Sequence, residues 1–140
     1  MKRFRLDPDL QEQIRRQACA ALPRECCGLI EGVRKGETLL ATALHPTPNV
    51  AREMERFEID PKAHSAIVRA ARTRGAAIVG CYHSHPDGRA MPSLLDLANV
   101  GEEGFVWLIL ALHAGSVGEL AAFVVSIGKL VPIACGNETS

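Results

Sequence analysis

After Asp7-Pro8 the apolar residues Leu10, Ile14, Ala18 and Ala21 recur at intervals of three and four, the period of one helix face, and Pro23 ends the run. Asp7 offers an N-cap, and Pro8 suits the first helical position because its missing N–H would have no intrahelical partner there. A short strand over residues 2–6 leads into this helix. Residues 26–33 and 38–44 read as two strands joined by a turn at Arg34-Lys35-Gly36. The stretch 45–58 holds two prolines, an asparagine and several charges, which predicts a surface loop. A second helix starts with Asp60 as cap and Pro61 at its first position, buries Ile67, Val68 and Ala71, and stops at Gly75. Residues 76–82 form a strongly apolar strand that runs straight into His83-Ser84-His85-Pro86. A loop over 87–92, a short helix over 93–100 and strands over 105–112, 119–125 and 129–133 follow. Helices and strands are interspersed while hairpins dominate, so the expected fold is α/β (α+β), a sandwich with a curved, mixed β-sheet flanked by helices.

Composition narrows the function classes. The 140 residues suit one domain with its own core, 47% of them are hydrophobic, and no repeat or low-complexity linker divides them. Sixteen basic residues balance sixteen acidic ones and only 4% are aromatic, so neither a net field nor a stacking platform points to nucleic acid. The basic start Met1-Lys2-Arg3-Phe4-Arg5 is followed by Asp7, Gln11 and Glu12 rather than an apolar run, so no signal peptide is expected. The longest apolar run, 105–112, is too short to span a bilayer, so no membrane association is expected. Five cysteines at irregular spacing, two of them adjacent, do not form a disulfide framework and fit reduced thiols in a cytoplasmic protein.

The chemistry concentrates in fourteen residues. His83 and His85 stand two apart at a strand end, so both imidazoles project from one face and can share an ion. Asp96 follows eleven residues later, in the first turn of the short helix, within reach of a loop that folds back. Two imidazoles and a carboxylate give the three protein ligands of a catalytic zinc site, which keeps one position open for water. A plainer reading exists for each part: a polar pair facing solvent, and Ser93 capping a helix whose first turn carries Asp96. The combination after an apolar strand favours the metal. Other His-x-His enzymes fit less well. Gly88 stands where a metallo-β-lactamase needs a histidine, an amidohydrolase barrel needs a longer chain, and no glutamate follows until Glu102 as a cupin would require.

These residues resemble the JAMM/MPN+ zinc metallopeptidases, whose pattern is an upstream Glu, then His-Ser/Thr-His-Pro, six residues, Ser, two residues and Asp. Here His83-Ser84-His85-Pro86 is followed after six residues by Ser93, Leu94, Leu95 and Asp96. Glu25-Cys26-Cys27-Gly28 is similar to the Glu-Cys-Cys-Gly segment of the compact bacterial members, and Phe57-Glu58-Ile59-Asp60-Pro61 to the lead-in of their second helix. The resemblance implies a cytidine-deaminase-like MPN/JAB fold over residues 1–140 and one Zn2+ per chain held by His83, His85 and Asp96. It also implies Glu25 as general base and Ser93 as hydrogen-bond donor to the oxyanion. From spacing alone Glu25 reads equally as a solvated charge after Pro23. Deubiquitinating members carry long insertions, whereas only eight residues separate Asp96 from the strand at Phe105. The likeness therefore points to hydrolysis of a peptide or isopeptide bond after the C-terminal glycine of a ubiquitin-like sulfur carrier of the ThiS/MoaD type. The alternatives are a zinc hydrolase of other amides, of cell-wall or phage-tail peptides, and a non-catalytic MPN scaffold.

The remaining candidates carry less. His64 is expected on a helix surface, and His45 and His113 singly at strand ends. Cys26 and Cys27 start a strand, so one should be buried while the other could line the site; with no motif nearby, both read as packing. Cys81 shares the strand parity of the two histidines and is expected beside the ligands at most, and Trp107 is expected in the core.

Overall fold

A computed structural model describes residues 3–114 and 116–136, the side chains of Leu95 and Val117 excepted; Lys2, where the first strand was expected to begin, lies outside them. The elements are β1 (Arg3–Arg5), α1 (Pro8–Ala21), β2 (Cys27–Lys35), β3 (Thr38–Thr47), α2 (Pro61–Thr73), β4 (Ala77–His85), α3 (Leu94–Leu97), β5 (Val106–His113), β6 (Ser116–Ser126) and β7 (Lys129–Gly136). The sheet is mixed, as expected, and curves further than a sandwich. It closes into a barrel in the order β1-β3-β2-β4-β5-β6-β7, because three-residue β1 pairs in parallel with both β3 and β7. The closure rests on three register pairs of β1 with each of them. β4 and β5 are the parallel pair of the remainder, joined by the crossover that contains α3.

The two faces of the sheet separate cleanly. Leu10, Ile14 and Ala18 of α1 pack with Phe4, Leu6, Ile30, Tyr82, Leu108 and Leu110 in one apolar cluster. The opposite face gathers Leu29, Cys81, Trp107, Ile109 and Phe123, with Phe57, Ile59 and Ile67 packed against them. Strand alternation sorts them: Tyr82 and Ser84 face one way, and Cys81, His83 and His85 the other. Gly28 admits the Tyr82 ring, since a Cβ there would stand 2.4 Å from the phenolic oxygen. No described helix is long and apolar enough to cross a membrane.

Several local expectations change. Asp7 occupies the N-cap of α1, but its side chain makes no capping bond and lies 3.8 Å from Arg5 instead. Asp60 does cap α2, accepting from the Lys62 N–H. Of the α2 stripe only Ala71 is fully buried, while Ile67 and Val68 are half-buried, Ile67 against the cluster of Leu29 and Trp107. The short helix spans Leu94–Leu97 rather than reaching residue 100. β3 continues to Thr47, and the stretch beyond it is not simply a surface loop: Asn49 bridges Ile59 and Ala51 is buried. His45 does not stand alone, since Glu31 accepts from it at 2.9 Å and also binds Arg74.

Candidate metal centre

β4 carries His83 and His85 out at its carboxyl end, on the face away from α1. Pro86 and the loop after it turn the chain, and α3 brings Asp96 back over the two rings. Two reciprocal bonds fix that turn. Ser93 Oγ accepts from the Asp96 N–H at 3.0 Å, and the Ser93 N–H donates to Asp96 Oδ2 at 2.8 Å, a complete capping box. The cap and the ligand readings of Ser93-x-x-Asp96 therefore describe one structure.

Three donor atoms converge. His83 Nε2 and His85 Nε2 are 3.1 Å apart, and Asp96 Oδ2 lies 3.2 Å from the first and 3.4 Å from the second. A proton can join two of these atoms, whereas a cation at their centre satisfies all three, so the donor set fits a metal ion. Ligand atoms of Glu25, His83 and His85 also fall within 4.8 Å of one another, which brings the upstream glutamate to the same point. The structure thus assembles Glu25, His83, His85, Ser93 and Asp96 in one place.

The two rings are held differently. His85 Nδ1 donates to the Arg89 carbonyl at 2.8 Å, which leaves its Nε2 lone pair for the centre. His83 is fully buried and its Nδ1 has no hydrogen-bond partner among the described residues. Packing orients it instead: Phe57 stacks on the ring at 4.3 Å, and Trp107 meets it edge-on at 5.8 Å. Burial lowers the pKa of His83 against the pull of Asp96, which favours the neutral ring. Burial works against the charge of Asp96, yet the two imidazoles and the Ser93 amide hold its carboxyl far below the usual range.

Glu25 is different. It is 5% exposed, and its Oε1 has no hydrogen-bond partner among the described residues. Burial pushes its carboxyl up to about 7, opposed by His85 and reinforced by the charge of Asp96. That places it where one group can both take and return a proton near neutrality. It is not a solvated charge. A cavity of about 500 Å³, lined by Glu25, Met54, Glu55, His85, Asp87 and Ser93, opens before it. A second of about 290 Å³, lined by Phe57, Cys81, Asp96, Val100 and Trp107 among others, lies behind the ligands.

The cysteines are quiet. All five are free. Cys26 and Cys27 are both buried, as packing residues: Cys26 enters the α1-side cluster and Cys27 Sγ lies against Thr47 and Pro48. Burial keeps the Cys81 thiol protonated beside Asp96. Phe57, which the sequence marks only as part of the lead-in to the second helix, is the support of His83. His64 lines the rear cavity rather than only a helix surface.

Comparison with known proteins agrees with this geometry. Residues 7–125 match the family described as prokaryotic homologs of the JAB domain. A desampylase of Haloferax volcanii is 36% identical over 112 residues, 76% of this chain and 79% of its own length. A probable TtuB-protein conjugate cleaving protease of Thermus thermophilus is 33% identical over 89 residues, 63% of this chain and 57% of its own. Among solved structures, a Desulfitobacterium hafniense protein determined in solution superposes with a TM-score of 0.84 at 26% identity, covering 97% of this chain and 94% of that one.

Proposed function

The chain belongs to the family of prokaryotic JAB-domain homologs, and we propose that it is a zinc isopeptidase that cuts after the C-terminal glycine of a ubiquitin-like sulfur-carrier protein. It is a JAMM-type hydrolase. The named activities of two relatives, one removing a small modifier and one cleaving protein conjugates, support a ubiquitin-like substrate. In this reading residues 1–140 form one domain, and His83, His85 and Asp96 hold the ion.

The observation that carries the reading is the converging triad with the Glu25 carboxylate beside it, whose Oε1 has no partner among the described residues. Donors on a tetrahedral zinc stand about 3.3 Å apart. The three atoms here are separated by 3.1, 3.2 and 3.4 Å. Zinc bound there would polarise the scissile carbonyl and acidify a water. Glu25 then accepts the proton of the attacking water and returns it to the leaving amine, a cycle suited to its raised pKa. The Ser93 oxygen already accepts from Asp96, so its hydroxyl hydrogen is left to donate to the oxyanion. Glycine at the cleaved position lets the backbone approach the ion without a side chain in the way.

Mass spectrometry of carrier fusions extended beyond Gly-Gly, incubated with zinc-loaded protein, tests this. The expected product is the free diglycine end, with turnover much slower when the last glycine is replaced by a β-branched residue. A panel of carriers left intact while unrelated peptides are hydrolysed would replace it with a general amide hydrolase.

A further inference from the structure

The peptide unit between Glu25 and Cys26 is gripped at both edges. Its carbonyl accepts from Asn49 Nδ2 at 3.0 Å, and its N–H donates to Ser84 Oγ at 2.8 Å. Ser84 is the residue between the two histidines and is fully buried on the opposite face of β4. Its own N–H returns to the Cys26 carbonyl at 3.1 Å. The backbone that carries Glu25 is therefore tied directly to the strand that carries His83 and His85.

Asn49 spends its whole hydrogen-bonding capacity here. Nδ2 also donates to the Arg56 carbonyl at 3.0 Å, while Oδ1 accepts from the N–H groups of Ala51 and Glu58, each at 3.0 Å. Two carbonyls on one side and two N–H groups on the other allow only one orientation of the amide. The three extra bonds close the 50–58 segment on itself. That segment holds Met54 and Glu55 at the open cavity and Phe57 against His83 and Trp107. The Arg24 guanidinium binds the Ala51 carbonyl and ties the same segment to the residue before Glu25.

We propose that Asn49 and Ser84 are positioning residues: together they fix the peptide plane that aims Glu25, and Asn49 also locks the 50–58 segment over His83. The proposal rests on Glu25 being the general base of the reaction proposed above. Ser84 serves Glu25 alone, whereas Asn49 serves both Glu25 and the segment, so their variants separate. Ser84→Ala should lower kcat about 10-fold to 100-fold, the scale of a misplaced catalytic group, with KM and metal content unchanged. Ser84→Thr keeps the acceptor and should recover most of that kcat. Asn49→Asp keeps the two acceptor bonds but sets a carboxylate against two carbonyl oxygens. It should lower kcat to a similar degree, raise KM, shift the emission of Trp107, the one tryptophan, to the red, and speed trypsin cleavage at Arg52 and Arg56.

Amide hydrogen exchange on the wild-type protein gives a readout free of turnover. The N–H groups of Cys26, Ala51 and Glu58 should exchange far more slowly than those of exposed Arg52 and Glu53. The Cys26 amide should lose its protection in Ser84→Ala. Exchange at Cys26, Ala51 and Glu58 as fast as at Arg52 overturns the clamp, as does kcat within twofold of wild type in both Ser84→Ala and Asn49→Asp. If wild-type protein leaves every carrier fusion uncut, the isopeptidase reading fails, while exchange, emission and trypsin cleavage still decide whether the clamp exists.

Discussion

The two faces of β4 and β5 are one residue apart in sequence and opposite in character. On the α1 side, Tyr82, Leu108 and Leu110 join an apolar cluster whose polar exceptions, the Tyr82 hydroxyl and Ser84, are both hydrogen-bonded. On the other side, His83, Asp96 and Glu25 are buried, and two of them keep an unpartnered polar atom among the described residues. An unpaired buried polar atom costs roughly 1–3 kcal/mol. A molecule that satisfies such groups on one face and leaves them open on the other has divided its labour. The α1 face supplies stability, and the α2 face holds the polar groups of the candidate centre. Because a strand alternates, the histidines gain a rigid support without disturbing the core beneath them.

The largest effects that would break this division are on the open face. His83→Ala or Asp96→Ala should reduce bound zinc from one per chain to none in protein purified without added metal, and turnover should vanish with it. Equal metal content in wild type and both variants would mean the triad is not the ligand set. Chelation should leave most far-UV circular dichroism intact, since the α1-side cluster contains no ligand. Glu25→Gln should keep the zinc and lower kcat by about 10²–10⁴, the usual worth of a general acid–base. Loss of zinc in that variant would make Glu25 a ligand, as its place within 4.8 Å of both histidines permits.

Adjacent core residues sharpen the comparison. Leu108 and Ile109 are both fully buried, on opposite faces of β5, and Ile109 is the register partner of His83. Either residue changed to Ala should cost about 2–5 kcal/mol of stability in denaturant unfolding. Below the transition, Leu108→Ala should retain wild-type kcat, whereas Ile109→Ala should lower it by loosening the floor under His83. Equal kcat losses in the two would show that the faces are mechanically one.

Much of the site was legible because its parts are local. His-x-His at a strand end and Ser-x-x-Asp at a helix start each follow from a period, and their spacing joins them. The sequence pattern also foretold a mixed, curved sheet. It did not foretell closure, since three-residue β1 pairs through partners 35 positions downstream and at the far end of the described chain, which no local period records. Glu25 needed the family likeness, because its burial and its approach to both histidines are tertiary facts. Asn49 and Phe57 sit in an aperiodic segment that reads as loop; only the bonds to Glu25, Ala51, Arg56 and Glu58 and the stack on His83 reveal what they hold.

The smallest expected loss of stability belongs to the residue that stands on the boundary between scaffold and chemistry. Ser93 caps α3 and, in the proposed mechanism, donates to the oxyanion, so Ser93→Ala removes two functions at once. A cap alone is worth about 1 kcal/mol of stability. A single oxyanion donor is worth about 10²–10³ in kcat. The cap bond runs from the Asp96 N–H to Ser93 Oγ, but the bond that orients the ligand oxygen comes from the Ser93 backbone N–H, which alanine retains. Zinc content should therefore stay at one per chain while kcat falls. Ser93→Thr should restore most of the rate, since it returns a hydroxyl to the same cap position. A lower melting temperature with kcat unchanged would confine Ser93 to capping, and the oxyanion would then need another donor. Loss of zinc from Ser93→Ala would show instead that α3 holds Asp96 through the side-chain bond, so that the cap belongs to the ligand set.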